Sequence, residues 1–146
     1  MKTLKKISIA LCLVGFPFLF CGNTPTPTTM DYLTAPSMWT DKYLNGDSYE
    51  FLRFTKTTVQ GGMMIENVPH GGTSTFYLSD KGEHSTFDQT KVGKVKNGKY
   101  IVISDPDEPK IYEIKSINAD SMVLFYDSKG KNTPNISIST FYARHD

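Results

Sequence analysis

Three histidines, His70, His84 and His145, and the carboxylates Asp105, Asp107 and Glu108 are the side chains best suited to holding a metal or moving a proton. Zinc requires three or four converging ligands, commonly His or Cys with a carboxylate. No two of the histidines stand at a ligand-pair spacing, and His70 lies in turn surroundings between Pro69 and Gly71. Surface roles are therefore expected for all three. The carboxylates fall in DPDEP, residues 105–109. A calcium loop of the EF-hand type needs more oxygen ligands and a glycine at a fixed position, and the prolines here interrupt the cluster. A solvated loop is the expectation. The nucleophile elbow G-x-S-x-G, the phosphate loops and Cys-x-x-Cys are all missing from the sequence. These residues predict a protein that binds rather than catalyses, with no metal and no cofactor.

Lys91, Lys94, Lys96 and Lys99 form the basic concentration of the chain. Such a cluster can meet anionic lipid or polysaccharide. On a strand its mixed spacing would split it between two faces, so protection of a β edge is the plainer expectation.

The two cysteines carry a different chemistry. Lys2, Lys5 and Lys6 precede an apolar run from Ile7 to Phe20, and Cys21-Gly22 closes it. A basic start followed by an apolar stretch of this length reads as an export signal, too short for the roughly 20 residues of a spanning helix. Cys12 lies within the run. Met1 to Gly22 resembles the signal of bacterial lipoproteins, with Phe18, Leu19 and Phe20 in the three positions before the cysteine. The resemblance implies cleavage before Cys21 and fatty acyl chains, palmitate among them, on its sulfur and the new N-terminus. Plain secretion is the alternative. Gly22 to Thr29 reads GNTPTPTT, which cannot build a core and favours an extended, semi-rigid spacer.

The chain has 16 basic and 15 acidic residues. Three of the lysines belong to the signal, which leaves 13 against 15 and argues against a broad electrostatic surface for nucleic acid or anionic membrane. With Cys12 in the signal and Cys21 lipidated, the exported domain would have no disulfide and would depend on packing. Eight Tyr and, beyond the signal, six of the nine Phe supply the large side chains for that. Rings such as Phe54, Phe76, Tyr112 and Phe141 read first as core, because a domain of roughly 110 residues has little core to spare. A ligand cavity is the alternative.

After Trp39 the pattern has period two, broken by turn residues. Asp47 to Val59 reads as one strand; Gly61-Gly62 as a bend, bulge or turn; and Met63 to Val68 as extended. His70-Gly71-Gly72 reads as a turn, Thr73–Ser79 as a strand and Asp80-Lys81-Gly82 as a hairpin connector. Glu83 to Val95 reads as an edge strand, and Asn97-Gly98 as a hairpin before Tyr100–Ile103. Lys110–Ile117 and Ser121–Asp127 flank a hairpin at Asn118-Ala119-Asp120. Ser128 to Lys131 turns again, and Ile136, Ile138, Thr140 and Tyr142 alternate with Ser137 and Ser139 in the last strand. Asp31–Tyr43 is expected to form a short helix or irregular cover over one end.

The fold class expected is all-β, an antiparallel meander of seven or eight strands closing as a small barrel, with a β-sandwich as the alternative. The domains are a signal over 1–20, a lipidated cysteine with a Thr/Pro tether over 21–37, and a barrel-like body over 38–146. Trp39 ahead of a strand like Tyr49–Phe54, followed by a chain of hairpins, is weakly similar to bacterial lipocalin-like lipoproteins, though Ser37 stands where that family carries glycine. The similarity implies an eight-stranded barrel able to hold a small apolar ligand. The functional expectation is a lipid-anchored cell-envelope protein, at the outer rather than the inner membrane, that binds a small ligand or an envelope component without catalysis. The alternatives are a surface protein that engages a protein or glycan through its outer strands, and a secreted or periplasmic location.

Overall fold

The structure, a computed structural model, describes residues 25–41, 48–128 and 136–145. Eight strands run in chain order: β1 (Met38–Asp41), β2 (Ser48–Phe54), β3 (Thr58–Ile65), β4 (Val68–Ser79), β5 (Tyr100–Ile103), β6 (Lys110–Ile117), β7 (Ser121–Asp127) and β8 (Ile136–Arg144). Each pairs antiparallel with the next, and β1 also pairs with β8, so the meander closes on itself. The expected all-β antiparallel class is therefore the observed one. Closure leaves no edge for unwanted pairing. Cys21, the apolar run 7–20 and the Lys129–Lys131 part of the last expected turn lie outside the described residues.

Several local expectations need correction. The β3–β4 turn is at Glu66-Asn67, whose φ angles of 48° and 63° are those of a type I′ hairpin. Gly61-Gly62 and Gly71-Gly72 are not turns: they face one another in the middle of the two strands, Gly61 opposite Gly72 and Gly62 opposite Gly71. A Cβ on Gly62 would stand 2.0 Å from the His70 carbonyl oxygen, and one on Gly71 would stand 2.1 Å from that of Gly61. Only side-chain-free residues permit this backbone approach. Asp47–Val59 is not one strand, because residues 55–57 turn the chain from β2 into β3, where Thr55 Oγ1 accepts from the Thr57 and Thr58 N–H groups.

The segment between β4 and β5 is no strand either. It contains one 3-10 turn, Gln89–Lys91, started by Asp88, whose carboxylate accepts from Thr90 N–H (3.0 Å). Asn97-Gly98 is consumed by packing. Asn97 Oδ1 accepts from Thr29 N–H (2.9 Å), and Gly98 lies against the Ser79 backbone. The β6–β7 hairpin is as expected, with Asn118 Oδ1 accepting from Asp120 and Ser121 N–H (both 2.8 Å). A bulge at Lys115 re-aims that strand between Ile114 and Ser116.

Helix α1 (Thr29–Thr34) lies in the stretch the sequence gives to the tether, yet it belongs to the packed body. A reciprocal capping box starts it: Asp31 N–H donates to Thr28 Oγ1 (3.2 Å) and Thr28 N–H donates to Asp31 Oδ2 (2.8 Å). Its Met30 and Leu33 join Trp39, Phe76, Leu78, Ile101 and Met122 in the core. Trp39 Nε1–H donates to the buried Leu33 carbonyl (3.0 Å), locking helix to barrel. This end of the barrel is shut. The other end holds the 66–67 hairpin and the 104–109 loop. No helix among the described residues is long and apolar enough to cross a membrane.

Candidate functional site: the open half of the barrel

Alternate residues of each strand point inward, and strand register fixes which. Trp39 opposes Leu52, Leu52 opposes Gly61 and Gly61 opposes Gly72, so all four share the inner face. Tyr112 opposes Tyr126, which opposes Ser137. The inward set is large and apolar toward the shut end but includes Gly61, Gly72, Ser74, Ser137 and Ser139 toward the open end. Phe54 and Phe76 meet edge to face near the base, with centroids 5.3 Å apart. Above them a cavity of about 560 Å³ remains. The interior is thus packed in one half and hollow in the other.

Leu52, Phe54, Val59, Ile101, Leu124 and Phe141 line the depth of this cavity; Glu50, Met63, Ile103, Lys110, Tyr112 and Tyr126 stand around its upper wall. The rings of Tyr112 and Tyr126 stack at 5.0 Å with a 30° tilt. Burial pushes the Tyr112 phenol above the ordinary tyrosine range, with the neighbouring Tyr126 adding to the effect. Lys110 Nζ forms an ion pair with Asp105 Oδ2 at 2.7 Å, and that hydrogen bond raises the ammonium's pKa. The cavity is therefore an apolar slot with a few polar groups at one end. Pockets that hold small molecules have volumes of about 300–1,000 Å³ and this polarity pattern.

The other sequence candidates are dispersed. His70 is exposed on β4, and His145 is exposed beyond β8. Asp105 serves its own loop, accepting weakly from Asp107 N–H (3.3 Å) as well as pairing with Lys110. Among the described residues no three His, Cys, Asp or Glu side chains group as a metal would require. His84 borders a lateral cleft of about 980 Å³ that also contains Glu83, Glu108, Glu113 and Asp127. Both its nitrogens are engaged. Nε2 faces the Lys81 carbonyl (2.9 Å) and must donate there, while Nδ1 is hydrogen-bonded to the Tyr77 hydroxyl (3.2 Å). Neither nitrogen is left for a proton relay with the carboxylates, and Glu113 pairs with Lys115 (2.7 Å). His84 fastens the 80–99 segment to β4, helped by the rings of Tyr77 and Phe87, 5.2 Å apart.

The small inward residues were the missed signal. Gly72, Ser74, Ser137 and Ser139 read as turn or surface residues until their register puts them on the same face as Phe141. On β8 the apolar members of the alternation face out, with Ile136 63% and Ile138 68% exposed. Comparison with protein-family models, curated proteins and solved structures found no match.

Proposed function

We propose that this protein is a non-enzymatic cell-envelope lipoprotein, tethered through acylated Cys21, whose lipocalin-like barrel binds a small apolar or amphipathic ligand. The observation that carries the binding reading is the 560 Å³ cavity, apolar in its depth and polar at its rim. An apolar ligand body would replace water against Leu52, Phe54, Leu124 and Phe141, at about 25 cal/mol per Å² buried. A polar group would remain near Tyr112, Tyr126 and Lys110. The anchor reading is supported by the basic-apolar-Cys order of residues 2–21 and by the exposed Pro25, Thr26 and Pro27 ahead of the packed body. An outer-membrane rather than inner-membrane location is part of the same proposal.

Saturable binding of an anilinonaphthalene dye tests the cavity. Gly72 has open space where a side chain would stand, so Gly72→Leu would project into the cavity. The variant should weaken dye binding at least about tenfold, or 1.4 kcal/mol. The outer-face substitution Ile138→Asp should leave it unchanged. The reverse pattern would overturn the cavity reading and favour a second one, in which exposed Ile136 and Ile138 on β8 contact a protein or glycan. Mass spectrometry of the mature N-terminus tests the anchor: acylated Cys21 is expected, and an unmodified thiol or an intact Met1 refutes it.

A further inference from the structure

We propose that the shut end of the barrel docks on anionic phospholipid headgroups, so that the cavity opens on the side away from the bilayer. The proposal rests on the anchoring reading for what brings this end to a membrane. Its own support is the distribution of charge.

The chain enters the packed body at Thr28, beside the segment that carries the lysines. Thr29 N–H donates to Asn97 Oδ1 and Met30 N–H to the Lys96 carbonyl, each at 2.9 Å. Gly93 packs against Thr57 and the Lys56 carbonyl, which joins the 55–57 turn to the same surface. Lys56, Lys94, Lys96 and Lys99 are all exposed there. Because residues 92–99 form a loop, the two-face spacing of a strand does not divide them. None of the four makes an ion pair among the described residues, whereas neighbouring Lys91 is taken by Asp88 at 3.5 Å. Asp31 lies within Coulomb reach of Lys56 and Lys96 and stays ionised there, its carboxylate held by Thr28 N–H and Oγ1–H, so it offsets one of the four lysine charges.

Among the described residues the open end has the opposite sign: Asp41, Glu50, Glu66, Asp105, Asp107 and Glu108 stand at the strand ends and loops there, with Lys110 paired to Asp105. An anionic surface would attract one end and repel the other, and both effects turn the molecule the same way. From Cys21 to Thr28 the chain can span at most about 25 Å. An acylated Cys21 would therefore keep the lysines at high effective concentration near the headgroups, where weak attraction suffices.

Lysine acetylation read residue by residue tests this on the full protein as its own cells process it, mixed with vesicles of phosphatidylcholine alone or with phosphatidylglycerol added. On anionic vesicles Lys56, Lys94, Lys96 and Lys99 should label about fivefold more slowly, the factor that about 1 kcal/mol per basic residue implies. The protection should vanish in 1 M salt, where screening acts within about 3 Å. Lys110 should label equally on both vesicles. In K56E/K94E/K96E, Lys99 should lose its protection. Protein that floats with both vesicles and shows no lysine protection overturns the docking and leaves the anchor standing. Flotation with anionic vesicles alone refutes the anchor and upholds the surface; flotation with neither overturns both.

Discussion

Replacing Gly71 by alanine, with Gly72→Ala as its control, is the sharpest stability test of this fold. The two residues are neighbours in β4 and chemically identical, so sequence context alone would treat them alike. A Cβ at 71 would lie 2.1 Å from the Gly61 carbonyl oxygen, roughly 1.2 Å inside the closest ordinary C···O approach of about 3.3 Å. The obstruction is backbone, which no rotamer change relieves. The strands must part locally, at about 1–3 kcal/mol for the overlap, and the adjoining ladder bonds contribute about 1 kcal/mol each when stretched. A loss of about 3 kcal/mol is expected, lowering the melting temperature by about 12–24 °C. At Gly72 no atom lies within 4 Å, so Gly72→Ala should be neutral or gain up to about 1 kcal/mol from lower unfolded-chain entropy. Urea unfolding read through the single tryptophan, Trp39, reports both variants. Equal midpoints for the two would refute the paired-glycine geometry.

Leu33→Ala should cost about 2–4 kcal/mol, because Leu33 is fully buried between α1 and the barrel; a change under about 0.5 kcal/mol in urea unfolding would mean that α1 is only spacer. The raised phenol pKa of Tyr112 stabilises the fold fully below the unfolded value of about 10 and is lost as pH rises through the folded value. Tyr112→Phe should therefore flatten the alkaline fall in stability above about pH 10, and an unchanged slope in thermal melts would contradict it. Asp31, whose carboxyl is held below its usual range chiefly by the Thr28 backbone hydrogen bond, works in the other direction. Its contribution is present above the unfolded pKa of about 3.9 and fades as pH falls through the lower folded value. Acid unfolding of Asp31→Asn should be correspondingly less steep.

Strands whose turns carry their own hydrogen bonds were legible. Asn118 closes the β6–β7 turn with its side chain, and the strands on either side have the expected bounds. DPDEP could only be a loop, and it is one. The β3–β4 hairpin was hidden because its turn is Glu66-Asn67, not a familiar glycine pair, while four glycines nearby mimic turns. Their true role depends on the opposite strand, which spacing along the chain does not specify. Asn97-Gly98 misled for a similar reason: a hairpin needs a strand before it, and residues 80–99 instead wrap the barrel. The alternation in β8 located the strand but not the sign of its faces. The cavity is a product of register across several strands, so its lining emerges only once Gly72, Ser74, Ser137 and Ser139 are seen to share a face.

Native mass spectrometry of the full protein extracted from its own cells tests the binding account most directly. The expected spectrum contains a complex that releases one small neutral or amphipathic molecule on activation, with that species lost in Gly72→Leu. A spectrum of ligand-free protein alone, unaltered by added apolar compounds, would contradict the claim that this half-hollow barrel exists to hold a ligand.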